Sequence, residues 1–113
     1  MNKLNSIDAI KDFIRENKFV MVYFSSDGCN VCDDISPRIE EILKRHTKVV
    51  LGEVEVQNLP SVASIFGIFT IPTIIILLEE KEIVRQVRYI NFLELEEKIQ
   101  RFSEFVYAKE YLT

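Results

Sequence analysis

The sequence predicts an α/β protein in which a central sheet is covered by helices on both faces, and three observations carry that prediction. Two short runs, Phe19-Val20-Met21-Val22-Tyr23-Phe24 and Thr73 to Leu78, are continuously apolar and rich in strand formers, the pattern of strands buried on both sides. Around them the apolar residues recur at helical spacing instead. The chain has 113 residues, of which 48% are hydrophobic and 28% charged, with only three Gly and three Pro, so it reads as one ordered domain over residues 1–113.

The elements follow in order. Asn5 or Ser6 can cap a first helix whose apolar positions are Ile7, Ile10, Phe13 and Ile14, ending near Asn17. The strand Phe19–Phe24 comes next. After the turn Ser25-Ser26-Asp27-Gly28, a segment from Cys29 to about Arg45 places Cys32, Ile35, Ile39, Ile42 and Leu43 on one stripe, an amphipathic helix. Pro37 lies inside it, where a proline removes a hydrogen bond at a cost of roughly 3 kcal/mol. Val49 to Val56 reads as a second strand, Pro60 to Phe66 as a short helix closed by Gly67, and Thr73 to Leu78 as a third strand. Glu79-Glu80-Lys81-Glu82 then joins it to a more polar edge strand, Ile83 to Tyr89. A last helix opens at Asn91, with Glu94 three residues on as in a capping box, and buries Phe92, Leu95, Ile99, Phe102 and Val106. The order is αβαβαββα, leaving Tyr107 to Thr113 as a short tail.

Composition excludes some functions. A net charge of −4 and a sequence pI near 5.0, with no cluster of Lys and Arg, argue against nucleic-acid binding. No apolar stretch approaches the length of a signal peptide or a bilayer span, so the expectation is a soluble, cytoplasmic protein without membrane contact. Two cysteines so close in sequence cannot staple distant parts of a fold, which points to a chemical role.

Cys29-Asn30-Val31-Cys32 sits where a buried strand gives way to a helix. The amides of Val31 and Cys32 can point at the Cys29 sulfur, and the positive end of the helix dipole favours its thiolate, the form that attacks disulfides. Cys32, one turn deeper on the apolar stripe, can then resolve a mixed disulfide on Cys29. Inert buried thiols are the plainer alternative. A closed zinc site needs four ligands, and one His with no further Cys does not supply them within one chain, so neither metal nor other cofactor is expected; two chains sharing zinc or an iron–sulfur cluster are the remaining metal reading. His46, about 25 Å along the same helix at 1.5 Å per residue, cannot serve Cys29 as a base and reads as a solvent-facing residue near the helix C-terminus.

These residues resemble the thioredoxin family: a C-x-x-C at a strand-to-helix turn, Pro37 eight positions after Cys29, and Thr70-Ile71-Pro72-Thr73 ahead of an apolar strand, over a span from about Ser6 to Val106. The resemblance implies a thioredoxin fold, a mixed sheet of four to five strands flanked by about four helices, and a helix kinked at Pro37. It also implies that Pro72 is a cis-proline facing the Cys pair. A proline there leaves the backbone of Ile71 free to pair with an extended substrate, so Gly28, Asn30, Val31, Ile71 and Pro72 are the expected substrate contacts. A strand-start proline is the plainer reading of Pro72.

The chain departs from the family at several positions. Gly28 replaces the common aromatic residue, Asn30-Val31 replaces Gly-Pro, and there is no Trp. Tyr23 stands where the family commonly has a buried Asp, and Glu53 where it commonly has that residue's Lys partner. Glu53 reads either as a carboxylate approaching the site from a neighbouring strand or as a solvent-facing residue. Asp27 and Asp33 flank the pair and are expected to oppose the Cys29 thiolate, although Asp33 and Asp34 equally suit a helix N-terminus.

The reading that results is a thiol–disulfide oxidoreductase with Cys29 attacking and Cys32 resolving. It acts as a monomer on disulfide-containing proteins and is recharged by a reductase such as thioredoxin reductase. The missing Asp, Trp and Gly-Pro motivate the alternative of a thioredoxin-fold adaptor that senses redox state without efficient turnover.

Overall fold

Along the chain of the computed structural model, which describes residues 2–112 and the side chains of residues 2–108, the elements are β1 (Asn2–Lys3), α1 (Ile7–Glu16), β2 (Phe19–Ser25), α2 (Asn30–Lys44), β3 (Val50–Glu55), a 3₁₀ turn (Val56–Asn58), α3 (Val62–Phe66), β4 (Thr73–Leu78), β5 (Lys81–Val87) and α4 (Phe92–Leu112). The strands form one mixed sheet in the order β1-β3-β2-β4-β5. Every residue of β2 and β4 is buried, as their unbroken apolar runs predict. β2 runs parallel to β3, with Tyr23 opposite Glu53, and antiparallel to β4, with Phe24 opposite Thr73.

Alternation along β2 divides the core in two. Phe19, Met21 and Tyr23 face Ile35 and Ile39 of α2 and Leu95 and Ile99 of α4, while Val20, Val22 and Phe24 face Ile10 and Phe13 of α1 and Val62 of α3. On the second face Gly52 is required for space: a Cβ there would lie 2.6 Å from Leu4 Cδ1 and 2.8 Å from Phe13 Cε2. The caps behave as the side-chain chemistry dictates. Ser6 Oγ accepts from the Ala9 amide at 3.0 Å, and Gly67 closes α3 in the left-handed region at φ 69°. Asn91 Oδ1 accepts from the Glu94 amide at 3.0 Å, but the Asn91 amide donates to Gln86 Oε1 at 2.8 Å, so β5 completes the box that Glu94 was expected to close.

Four local expectations are corrected. β1 precedes the first helix and pairs in parallel with β3, and its two residues are too few to show any periodicity. β5 starts at Lys81, earlier than expected, because the turn is tight: Glu79 and Glu80 both adopt positive φ, of 49° and 70°, a conformation usually signalled by Asn or Gly. The strand then ends at Val87, with a bulge opposite Ile76 and Leu77. α4 continues to Leu112, so the supposed tail is helical up to that residue, and Thr113 lies outside the described residues. His46 is buried, since α2 stops at Lys44 and the chain turns at Arg45 to carry the imidazole against α4.

That turn creates the main ionic tie between the helices. Glu96 of α4 accepts two hydrogen bonds from Arg45, each of 2.9 Å, and its Oε2 lies 2.9 Å from His46 Nε2. The Arg45 hydrogen bond first, then that of His46, hold the Glu96 carboxyl down at about 2. A depressed carboxylate contributes stability that is fully present above its ordinary value near 4.5 and is lost as the pH falls through about 2. Glu96→Gln is therefore expected to lower the urea unfolding midpoint at pH 7, and the deficit should shrink steadily below pH 4.5; a deficit that persists unchanged at pH 2 would contradict this assignment.

Candidate active site

The fully buried β2 ends at Ser25, and the turn that follows reaches the surface at Asp27 and Gly28 and places Cys29 as the N-cap of α2. Gly28 makes this turn with φ 76°, in the left-handed region, where a side chain is strained although the space around it is open. The Cys29 amide donates to Ser26 O at 3.4 Å, and Cys29 Sγ accepts from the Cys32 amide at 3.2 Å, so a sulfur fills the role that Ser6 oxygen fills in α1. Of the two amides expected to face this sulfur, the Cys32 amide is the one so placed among the described hydrogen bonds.

Cys29 and Cys32 are joined by a disulfide with a Cα–Cα separation of 5.2 Å. Their environments differ. Cys29 is partly exposed and packs at the edge of the core, whereas Cys32 is 4% exposed and belongs to the core. Asn30 and Val31 are exposed between them, Val31 at 55%. α2 runs from Asn30 to Lys44 as one helix through Pro37, with Ile35, Ile39 and Ile42 buried on its inner stripe.

Tyr23 lies beneath this first turn. It is completely buried, and its hydroxyl donates to the Cys32 carbonyl oxygen at 2.9 Å; Ser36 Oγ donates to the same oxygen at 3.3 Å. Burial pushes the phenol pKa up, against a hydrogen bond with Ser36, and the nearby charges of Glu53 and Asp33 push it the same way. The phenol is thus a neutral donor where the family commonly has a carboxylate. Glu53 is half-buried directly across from Tyr23 on β3, on the α2 side of the sheet, so it is not a purely solvent-facing residue. Asp27 and Asp33 are both exposed, one in the turn before Cys29 and the other in the first turn of α2.

The second wall comes from the start of β4. Because Phe24 pairs with Thr73, the preceding Pro72 lies beside the end of β2 from which the Cys pair departs. The Ile71–Pro72 peptide bond is cis. Pro72 is buried, Ile71 is half-buried against the core of the α2 face, and Thr73 Oγ1 fixes the loop by donating to Thr70 O at 2.6 Å. The Arg88 amide donates to Pro72 O at 2.7 Å, which ties the β5–α4 connection to the same loop. Ser36 and Arg88 are the residues that sequence reasoning passed over. A hydroxyl one turn after Cys32 was a legible signal for the first, while Arg88 looked only like an edge-strand cation.

A disulfide at the N-terminus of a helix, fed by a central buried strand and flanked by a cis-proline loop, defines a redox-active thiol–disulfide centre on a mixed α/β sheet. The chain belongs to the thioredoxin family, whose model, described as Thioredoxin, matches residues 3–101. A thioredoxin-like protein of Bacillus subtilis is 32% identical over 101 residues, an alignment covering 89% of this chain and 90% of that one. The thioredoxin of Buchnera aphidicola subsp. Acyrthosiphon pisum is 29% identical over 85 residues, covering 74% and 79%. The solved thioredoxin of Fasciola hepatica superposes with a TM-score of 0.80 at 27% identity, covering 89% of this chain and 98% of that one.

The unequal burial of the two sulfurs generates a prediction for the reduced protein. Iodoacetamide should modify Cys29 at least about ten-fold faster than Cys32, because the thiolate must be both formed and reached. Peptide mapping by mass spectrometry reads the ratio, and equal labelling would reject the division of roles.

Proposed function

We propose that this protein reduces protein disulfides by dithiol–disulfide exchange. The observation that carries the reading is the Cys32 amide directed at the sulfur of a partly exposed Cys29, because that contact stabilises a thiolate there once the disulfide is open. The Cys29 thiolate attacks one sulfur of a substrate disulfide, forming a mixed disulfide and releasing the other substrate sulfur as a thiolate. Cys32 loses its proton and attacks Cys29 Sγ, which re-forms the intramolecular disulfide and releases the second substrate thiol. Two electrons pass to the substrate, and a reductase of the thioredoxin reductase type returns them. Gly28, Asn30, Val31, Ile71 and Pro72 bound the groove. Ile71 lies outside the β4 ladder, which leaves its backbone to pair with an extended substrate segment.

In this scheme Tyr23 positions the first turn of α2 through the Cys32 carbonyl, and Glu53, across from Tyr23 on β3, takes the role of accepting the proton that Cys32 gives up; its half-buried position on the α2 side of the sheet supports that role. Asp27 and Asp33 raise the energy of the Cys29 thiolate. The protein works as a monomer in the cytoplasm, in cellular redox homeostasis and electron transport. Among the described residues no helix is long and apolar enough to cross a membrane.

Insulin reduction driven by dithiothreitol tests the proposal. The protein should accelerate insulin precipitation, Cys29→Ser should abolish the effect, and reduced Cys32→Ser mixed with insulin after the dithiothreitol is removed should accumulate a mixed disulfide visible as a mass adduct. A pair that equilibrates with glutathione but leaves insulin intact would favour the redox-sensing adaptor instead. The proton path makes a separate prediction. Tyr23→Phe should cost about 1 kcal/mol of stability and leave the shape of the pH–rate profile below pH 9 unchanged, whereas Glu53→Gln should displace the limb assigned to Cys32. An unmoved limb would remove Glu53 from the scheme.

A further inference from the structure

Beside the disulfide, between the first three turns of α2 and the β5–α4 connection, lies a depression of about 270 Å³. Its apolar lining includes Val31 from between the two cysteines, Ile35, Ile90 and Phe92, with the 81% exposed Tyr89 at the rim. The volume suits one large apolar side chain. Two guanidinium groups, of Arg38 and Arg88, also line it, the first 3.9 Å over the Phe92 ring and the second 5.5 Å over the Tyr89 ring. Among the described residues neither is paired with a carboxylate. Asp34 is the one acidic residue in the lining, so this patch carries a net positive charge on a chain whose net charge is −4.

The backbone of Arg88 is an independent observation. It sits at φ 67°, in the left-handed region where glycine is unstrained and an L side chain costs roughly 1 kcal/mol. Its amide is committed to Pro72 O, so the strained residue adjoins both the depression and the cis-proline loop. A residue held in an unfavourable conformation beside a reactive centre marks a side chain with a task.

Resting on the reading of the disulfide as a reductase site, we infer that this depression is a specificity subsite that takes an apolar side chain adjoined by a carboxylate, and so selects acidic segments next to the substrate cysteine. The carboxylate pairs with Arg88, and Arg38 adds to the attraction. Asp27 and Asp33, in the turn before Cys29 and just after Cys32, disfavour acidic residues elsewhere around the pair, while in the depression the two guanidinium groups outweigh the single Asp34. The substrate segment is thereby fixed in one direction across the groove, because the reverse direction sets its carboxylate against like charge.

The test separates recognition from turnover. Two peptides that carry Ser in place of the reactive Cys, one with a neighbouring Leu-Glu and the other with Leu-Lys, are titrated into the protein while the backbone amide resonances of Val31, Arg88 and Tyr89 are followed. The Leu-Glu peptide should move these resonances with a Kd at least about ten-fold lower than the Leu-Lys peptide, and the ratio should fall as salt is added. Arg88→Glu should invert the preference. Arg88→Gly, which relieves the left-handed backbone and should not lower the thermal midpoint, should bring the two affinities together. Equal binding of both peptides by the parent, or a preference unmoved by Arg88→Glu, would overturn the inference. Loss of insulin reduction with the preference intact would count against the reductase reading alone.

Discussion

The contact between the Cys32 amide and the Cys29 sulfur exists because a strand buried on every residue runs, after one glycine turn, straight into the first turn of a helix. β2 cannot shift without exposing Tyr23 and Phe24, and α2 cannot shift without exposing Cys32, Ile35 and Ile39, all of them buried in the present packing. Removing a single large apolar side chain from such a core typically costs about 2–5 kcal/mol, so the junction is held far more firmly than one N–H···S contact could hold it. The chemistry of the pair is imposed by the packing beneath it.

The same packing explains why Tyr23 can stand at a position where related proteins commonly carry an acid. An ionised carboxylate at a site without solvent access needs a compensating charge. Here the neighbouring strand presents Glu53, which would repel it. A neutral phenol avoids that conflict and turns its hydroxyl to the Cys32 carbonyl. The site thus trades a charge for a hydrogen bond while keeping a carboxylate one strand away.

Much of this was legible in the sequence, and the failures have identifiable causes. The apolar runs of β2 and β4, the Ser6 and Asn91 caps, and the C-x-x-C at a strand-to-helix turn each obey a local rule, and each element formed where the rule placed it. β1 is too short for any rule of periodicity to see. The Glu79–Glu80 turn uses residues that do not advertise positive φ, so the strand behind it was started too late. His46 was misplaced because its partner, Glu96, is fifty residues away in sequence and no local pattern connects them. The coincidence of Val31, Arg38, Arg88 and Tyr89 around one depression likewise depends on two distant segments meeting, which no single window of sequence contains.

The Glu96 tie has a consequence for the helix that carries the Cys pair. α2 is gripped at one end by the Tyr23 hydroxyl, which reaches from β2 to the Cys32 carbonyl, and at the other by a carboxylate that two side chains of the following turn share. Two ties at opposite ends of one helix, each modest on its own, resist both sliding and pivoting of α2 on the sheet, so the end that carries the sulfurs is steadied from the end that does not.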